Sequence, residues 1–142
     1  MVVKADRLPL AGQTVIGGDF LMNPGGKGAN QAVAAARLGG NVTMVGRVGA
    51  DVFGKEAVAS LQAEQIDVTH VSTDAEQASG IALISVDNQG ENQIVVAPGA
   101  NHSLTTEHID SAMAAISAGS LLLLQLEIPL SVVRYTAEIA AQ

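Results

Sequence analysis

The chain has no cysteine and no tryptophan, and its 142 residues include only one tyrosine and two phenylalanines. Without cysteine, this sequence has neither a disulfide framework nor thiolate chemistry. Basic residues are also few: Lys and Arg number 7 against 14 Asp and Glu, which gives a formal net charge of −7. Nucleic acids and anionic membranes require a basic face, so we expect neither as a partner.

Long apolar runs are missing as well. No stretch of about 18 apolar residues offers a membrane span, and the N-terminus lacks the charged-then-apolar pattern of a secretion signal, so we expect a cytoplasmic location. Hydrophobic residues make up 48% of the chain but aromatic residues only 2%. The core must therefore be built from Ala, Val, Leu and Ile, within a length that corresponds to a single domain.

The most informative motif is Pro24-Gly25-Gly26-Lys27-Gly28-Ala29-Asn30-Gln31, which leads into helix-forming residues that end at Gly39-Gly40. Glycines allow close approach of the backbone to a ligand, and a helix N-terminus favours oxygen-rich or anionic groups. Lys27 adds a mobile charge, and the Asn30 amide can donate to one hydroxyl while it accepts from another. The loop is predicted to bind a polyol; the alternative is a flexible turn that only caps an alanine-rich helix.

Two well-known phosphate-binding loops do not match this motif. A Walker A loop needs Ser or Thr after Gly-Lys, but Gly28 follows Lys27, and Leu21 stands where its first glycine should be. The dinucleotide pattern GxGxxG fails because Gln31 replaces its last glycine. The loop is therefore not predicted to bind a nucleotide by either mode.

Beyond the loop, helix-forming and strand-forming stretches alternate. Asp51 is expected to cap the second helix, and Ser103 or Thr105 the third. This alternation predicts an α/β fold with a mostly parallel sheet flanked by helices. Helices are predicted over residues 29–38, 53–64, 106–117 and from Pro129 onward, and strands over 42–48, 66–71 and 120–126.

The last predicted strand carries Leu121–Leu124, four leucines without alternation, which is typical of a strand buried on both faces of a parallel sheet. Gln125 and Glu127 follow at its carboxyl end, where ligands of open parallel sheets gather. Glu127 is therefore a candidate site residue. A solvated loop acid, or a charge at the start of the helix that opens at Pro129, explains it equally well from spacing alone.

Two further segments depart from the alternation. Residues 81–86 and 93–97 flank Asp87-Asn88-Gln89-Gly90-Glu91, a β-hairpin signal, and residues 14–22 read as extended. The alternating apolar residues of the hairpin, Ile81 and Leu83 on one strand and Ile94 and Val96 on the other, suit a half-buried sheet.

The glycine loop and the segments that follow it resemble the first signature of the ribokinase, or pfkB, family of carbohydrate kinases. The resemblance is carried by Gly25–Ala32, Gly39, the 41–48 strand, Gly49-Ala50-Asp51-Val52-Phe53-Gly54, Gly90-Glu91-Asn92, Gly99-Ala100-Asn101 and Gln125-Leu126-Glu127. It implies a ribokinase-like fold, with ATP and Mg²⁺ as cofactors and D-ribose converted to ribose 5-phosphate. It also implies that Gly25, Gly26, Lys27, Asn30 and Glu127 contact the sugar.

The same resemblance implies that segments near 12–23 and 80–98 form a β-lid, which covers the sugar and pairs with a second lid in a homodimer. The alternative is a surface ribbon without a partner. The family's catalytic aspartate lies in a later Gly-Ala-Gly-Asp turn, which this sequence does not contain. Gly49-Ala50-Asp51 lacks the second glycine and is predicted to be a helix cap.

We therefore expect no catalytic residue in this chain and, because His70, His102 and His108 lack metal-ligand spacing, no metal site. Residues 1–142 are interpreted as a partial ribokinase-like domain, incomplete at both ends. A complementary C-terminal chain would supply the nucleotide-binding segments. Two alternatives remain: a non-catalytic sugar-binding or dimerising fragment, and a nonfunctional gene fragment.

Overall fold

The computed structural model describes residues 1–117 and 119–141. The chain divides into two compact units, described separately: Met1–Asn23 with Ile81–Ala97, and Pro24–Gly80 with the described part of 98–142. In chain order the elements are β1 (Val2–Ala5), β2 (Gly17–Leu21), α1 (Lys27–Arg37), β3 (Thr43–Gly49), α2 (Val52–Ala63), β4 (Asp67–Asp74), β5 (Ile81–Val86), β6 (Asn92–Ala97), a 3₁₀ helix (Gly99–Ser103), α3 (Thr106–Met113) and α4 (Leu130–Ala140).

The first unit is a four-stranded sheet in the order β2-β1-β5-β6. The β1–β5 pair is parallel, and β1–β2 and β5–β6 are antiparallel. The predicted hairpin is confirmed: the Asp87 carboxylate accepts the N–H groups of Gln89 and Glu91, and Gly90 takes a positive φ of 84°. Strand β1 was not predicted, because Val2-Val3 is too short an apolar run to show a period of two.

The second unit contains the parallel pair β3–β4 and all four α-helices. One core cluster consists of Ala32, Leu61 and Ile66, and a second of Leu104, Ile109 and Val132. Both clusters are aliphatic, as the composition predicts. The α/β architecture is thus confirmed, with helices packed around a parallel strand pair.

The predicted helix caps are confirmed. The Asp51 carboxylate accepts the N–H of Gly54 at 2.8 Å, and Thr105 forms a capping box with His108. Helix α3 ends at Met113, four residues before the predicted end. The N–H of Ala115 bonds the carbonyl of Ala112 three residues back, so the helix tightens into turns at this point.

The predicted leucine strand is wrong. Residues 120–126 adopt no strand conformation, and the side chains of Leu121 and Leu126 are 89% and 67% exposed. A strand needs a hydrogen-bonded neighbour, and β3 and β4 pair only with each other among the described residues. Four successive leucines indicate burial on both faces, but they do not determine which element provides it.

Within the described part of the chain, no helix is both long and apolar enough to cross a membrane.

Candidate functional site

The glycine loop opens directly onto helix α1. Gly26 is its N-cap residue, with φ 97° and ψ 133°, a conformation that side-chain-bearing residues rarely adopt. The helix begins at Lys27, two residues earlier than predicted, and its first bond runs from the Asn30 N–H to the Gly26 carbonyl at 2.9 Å. Because Gly26 has no side chain, it cannot cap the free N–H groups of the first turn.

Glu127 provides the missing acceptor from the other end of the chain. Its Oε2 accepts the backbone N–H of Lys27 at 2.9 Å, and its Oε1 accepts from the Lys27 ammonium at 2.5 Å. A carboxylate at a helix N-terminus is favoured by the helix dipole. Glu127 thus contacts the start of α1, although it shortly precedes α4 in the sequence.

The electrostatics of the pair follow from these two bonds. The hydrogen bond from the Lys27 side chain, with smaller help from its backbone N–H and charge, lowers the pKa of Glu127, while partial desolvation opposes the shift. The side chains of Lys27 and Glu127 are 69% and 34% exposed. The pair is therefore accessible to solvent, and the lowered pKa favours the charged form of the Glu127 carboxyl group.

Gln125 supports Glu127 from two residues upstream. Its side-chain carbonyl oxygen accepts the Glu127 backbone N–H at 2.8 Å. A Cβ built on Gly28 would lie 3.9 Å from the Gln125 Cβ, so this turn is adjacent to the first turn of α1. The sequence places Gln125 beside Glu127 at the end of the leucine run but does not predict this hydrogen bond. The only sequence signal for this bond is the position of Gln125, two residues before the candidate acid Glu127.

Four of the five predicted binding residues lie at the start of α1. The fifth, Glu127, contacts Lys27 there although the two are 100 residues apart in the sequence. Gly25, Gly26, Lys27 and Asn30 are exposed on the loop and first turn, and Glu127 is half-buried against them. Lys27 and Asn30 are three residues apart, which places them on neighbouring parts of the helix surface. These residues present ammonium, amide, carboxylate and backbone N–H groups, which together match the alternating donors and acceptors of a polyol.

Two cavities in the second unit lie elsewhere. One, of about 480 Å³, lies between α2 and the β3–β4 pair and includes Lys55 and Thr73. The other, of about 220 Å³, includes Asp67 and His70. Neither includes a predicted binding residue. Across residues 1–117 and 119–141, no three His, Asp or Glu side chains are grouped so as to hold a metal ion.

Arg47 is engaged in a partly buried network, which the sequence did not predict. Its Nε donates to Asp74 at 2.9 Å, and its Nη1 lies 2.5 Å from His108 Nε2. The pKa of Asp74 is lowered to about 2, mainly by the N–H of Glu76, with further hydrogen bonds from Gln77 and Arg47. This network joins β3, β4 and α3, so Arg47 has a structural role.

Comparison with known proteins gives a consistent result. The family model described as pfkB family carbohydrate kinase matches residues 1–142. The chain is 43% identical over 139 residues to a ribokinase of Haemophilus influenzae, a match that covers 98% of this chain and 45% of that protein.

Solved structures agree with this match. A ribokinase from Giardia lamblia superposes with a TM-score of 0.88 at 31% identity, over 99% of this chain and 42% of its own. A ribokinase from Arabidopsis thaliana, complexed with ribose and ATP, superposes with a TM-score of 0.79 at 29% identity, over 98% and 46%. The chain thus spans less than half the length of the proteins that it matches.

Proposed function

Because the chain belongs to the pfkB family of carbohydrate kinases, we propose that it is the sugar-binding part of a cytoplasmic kinase that phosphorylates D-ribose to ribose 5-phosphate. The observation that carries this proposal is the double contact of Glu127 with Lys27 at the start of α1. It joins Glu127 to the loop that carries the other four candidate residues, which supports a polar, accessible sugar site there. The ribokinases among the relatives support ribose as the sugar.

Each group at this site has bonding capacity left for a sugar. Lys27 has three ammonium donors, of which Glu127 takes one, and the two carboxylate oxygens of Glu127 have more lone pairs than the two Lys27 donors occupy. Asn30 offers both a donor and an acceptor on one amide. The backbone at Gly25 and Gly26 has no side chains that would obstruct a ligand. Together these groups are suited to neighbouring sugar hydroxyls.

ATP and Mg²⁺ are the cofactors of this proposal, and two features of the described residues support placing their site in another segment. No triad of carboxylate or imidazole groups is available for a metal in the described ranges. The glycine loop also lacks the Ser or Thr that a Walker A loop uses for magnesium. We therefore propose that a complementary C-terminal segment binds the nucleotide and supplies the catalytic base.

A second candidate function is dimerisation without catalysis, which the exposed apolar surface of the four-stranded sheet favours. Phe20 and Val95 are 57% and 66% exposed. Cross-strand pairing of Phe20 with Val3, and of Leu83 with Val95, places apolar side chains in rows across the sheet. Exposed apolar patches of this kind mark protein–protein contacts. We propose that two copies pair through this sheet.

The experiment that tests the proposed function measures ribose binding and ADP release with the purified 142-residue chain. We expect calorimetric binding of D-ribose that Lys27→Ala weakens and the matched surface variant Lys55→Ala leaves unchanged. We expect no ADP release from ATP by the chain alone. ADP release would contradict the assignment of catalysis to another segment, and absence of ribose binding would contradict the sugar site.

A further inference from the structure

We propose that Gln125 is a positioning residue of the sugar site, which holds Glu127 in the orientation that brings its carboxylate onto Lys27. The proposal rests on the proposed function for its meaning, because Glu127 and Lys27 are the groups expected to meet the sugar. Its geometric core is independent of any ligand. It consists of the Gln125 side-chain oxygen 2.8 Å from the Glu127 backbone nitrogen.

Little else fixes the backbone at this point. Residues 121–126 pair with no strand among the described residues, and leucines of this segment are exposed to solvent. A segment without ladder hydrogen bonds and with few buried contacts is locally weak. The Gln125–Glu127 bond closes a turn over these residues, in the manner of the local side-chain-to-backbone bonds that Asn and Asp make two residues on.

The turn at Gln125 determines where the Glu127 side chain lies relative to α1. Glu127 spans from this turn to α1, where its two oxygens meet the backbone and the ammonium of Lys27. Gln125 also lies beside the first turn of α1, because its Cβ is 3.9 Å from the position that a Cβ on Gly28 would occupy. Losing the Gln125 acceptor would leave the Glu127 N–H without this partner and allow the carboxylate to move. A sugar would then have to order the acid before it could bind.

Three variants of the 142-residue chain separate positioning from packing. Gln125→Met keeps the length of the side chain but removes the acceptor. Gln125→Asn keeps an amide oxygen that can reach the N–H two residues on, so it should restore the turn. Gln62→Ala, an exposed position on α2, is the matched control. Circular dichroism monitors folding, and Gln125→Ala is a second acceptor-free variant if the methionine variant does not fold.

The first readout is the Glu127 pKa, followed by the ¹³C NMR signal of its carboxylate. This pKa lies below the ordinary value because Lys27 donates to the carboxylate. We expect it to rise toward the ordinary value in Gln125→Met and to remain lowered in Gln125→Asn and Gln62→Ala. A packing role alone would not raise the Glu127 pKa in the methionine variant and leave it lowered in the asparagine variant.

The second readout is the dissociation constant for D-ribose, measured by calorimetry. Loss of one hydrogen bond predicts weakening by about two- to tenfold in Gln125→Met. Recovery in Gln125→Asn would support the proposal. If the wild-type chain binds ribose and Gln125→Met binds it equally well, Gln125 does not position the site.

If the wild-type chain does not bind ribose, the proposed function fails, but the titration still decides the inference. An unchanged Glu127 pKa in Gln125→Met then overturns the positioning role, and a raised pKa that Gln125→Asn reverses supports it. The two failures are therefore distinguishable in one set of samples.

Discussion

Lys27 and Glu127 are joined twice across 100 residues of sequence, because the backbone N–H and the ammonium of Lys27 donate to different oxygens of one carboxylate. The contact ties the glycine loop to the segment that follows the leucines. It also places an acid where the free N–H groups of α1 begin, at the helix end that favours a negative charge.

Replacing Glu127 with Gln should weaken D-ribose binding with little loss of stability. The variant keeps the shape but loses the charge, and a hydrogen bond to a charged group is worth about 1.5–3 kcal/mol, which corresponds to roughly a 10- to 100-fold loss of affinity. Stability should change by less than about 1 kcal/mol, because the ion pair is accessible to water. Calorimetry with ribose and thermal unfolding measure the two effects.

The matched control is Glu56→Gln, an exposed acid on α2. It should leave ribose affinity unchanged. A Glu127→Gln chain that bound ribose as tightly as the wild type would remove Glu127 from the site.

Replacing Gly26 with Ala should destabilise the start of α1. A Cβ at this position has room, since its nearest neighbour would be Glu127 Oε2 at 3.9 Å, so the cost comes from the φ of 97°. A sparsely populated positive-φ conformation of this kind costs a residue other than glycine about 1–3 kcal/mol. Denaturant unfolding measures it.

Gly25→Ala is the comparison for this variant, because a Cβ there meets nothing within 4 Å and its φ is not positive. Its stability should stay within about 0.5 kcal/mol of the wild type. Equal stability of the two variants would show that Gly26 does not hold the positive-φ conformation in solution.

Acid should unfold the second unit partly through Asp74. Its pKa lies near 2 in the folded chain, below the ordinary value of about 3.9 that it takes when unfolded. The stabilisation from this group is therefore fully present above about pH 4 and is lost as the pH falls toward 2. Unfolding free energies measured between pH 2 and 6 should show this slope.

Asp74→Asn should flatten that slope and lower stability at neutral pH, because Arg47 loses its ionic partner in a partly buried network. Asp19→Asn, an exposed acid on β2, serves as the control and should keep the slope. A slope that persisted in Asp74→Asn would assign the acid sensitivity to other carboxylates.

Val95→Lys should keep the chain monomeric if two copies pair through the four-stranded sheet. A charge introduced into an exposed apolar row must be desolvated on association, which is costly. Light scattering after size exclusion gives the mass. Thr14→Lys, exposed and outside the strands, should not alter it. A wild-type chain that is monomeric at high concentration would contradict the pairing.

Local signals in the sequence predicted local structure well. The glycine loop leading into α1, the Asp51 cap and the hairpin around Gly90 all depend on residues within a few positions of each other, and all three are confirmed. The predicted start of α1 was two residues too late. Its N-cap residue is Gly26, which has no capping side chain that would mark the helix start in the sequence.

What the sequence could not predict depends on distant partners. The leucine run indicates burial, but its exposure in the structure shows that burial requires a neighbour that the run does not encode. Glu127 could be proposed as a site residue from the sequence. Its contact with Lys27 could not be predicted, because it joins residues that are distant in the sequence. Gln125 was missed because its role is a side-chain-to-backbone bond that any polar turn residue could make.

A sugar site at the start of α1 is tested by calorimetric titration of the 142-residue chain with D-ribose, repeated with Asn30→Ala and with Asn41→Ala, an exposed asparagine outside the site. We expect saturable binding that Asn30→Ala abolishes and Asn41→Ala preserves. Binding that survives Asn30→Ala unchanged, or no binding by the wild-type chain, would contradict a sugar site at the start of α1.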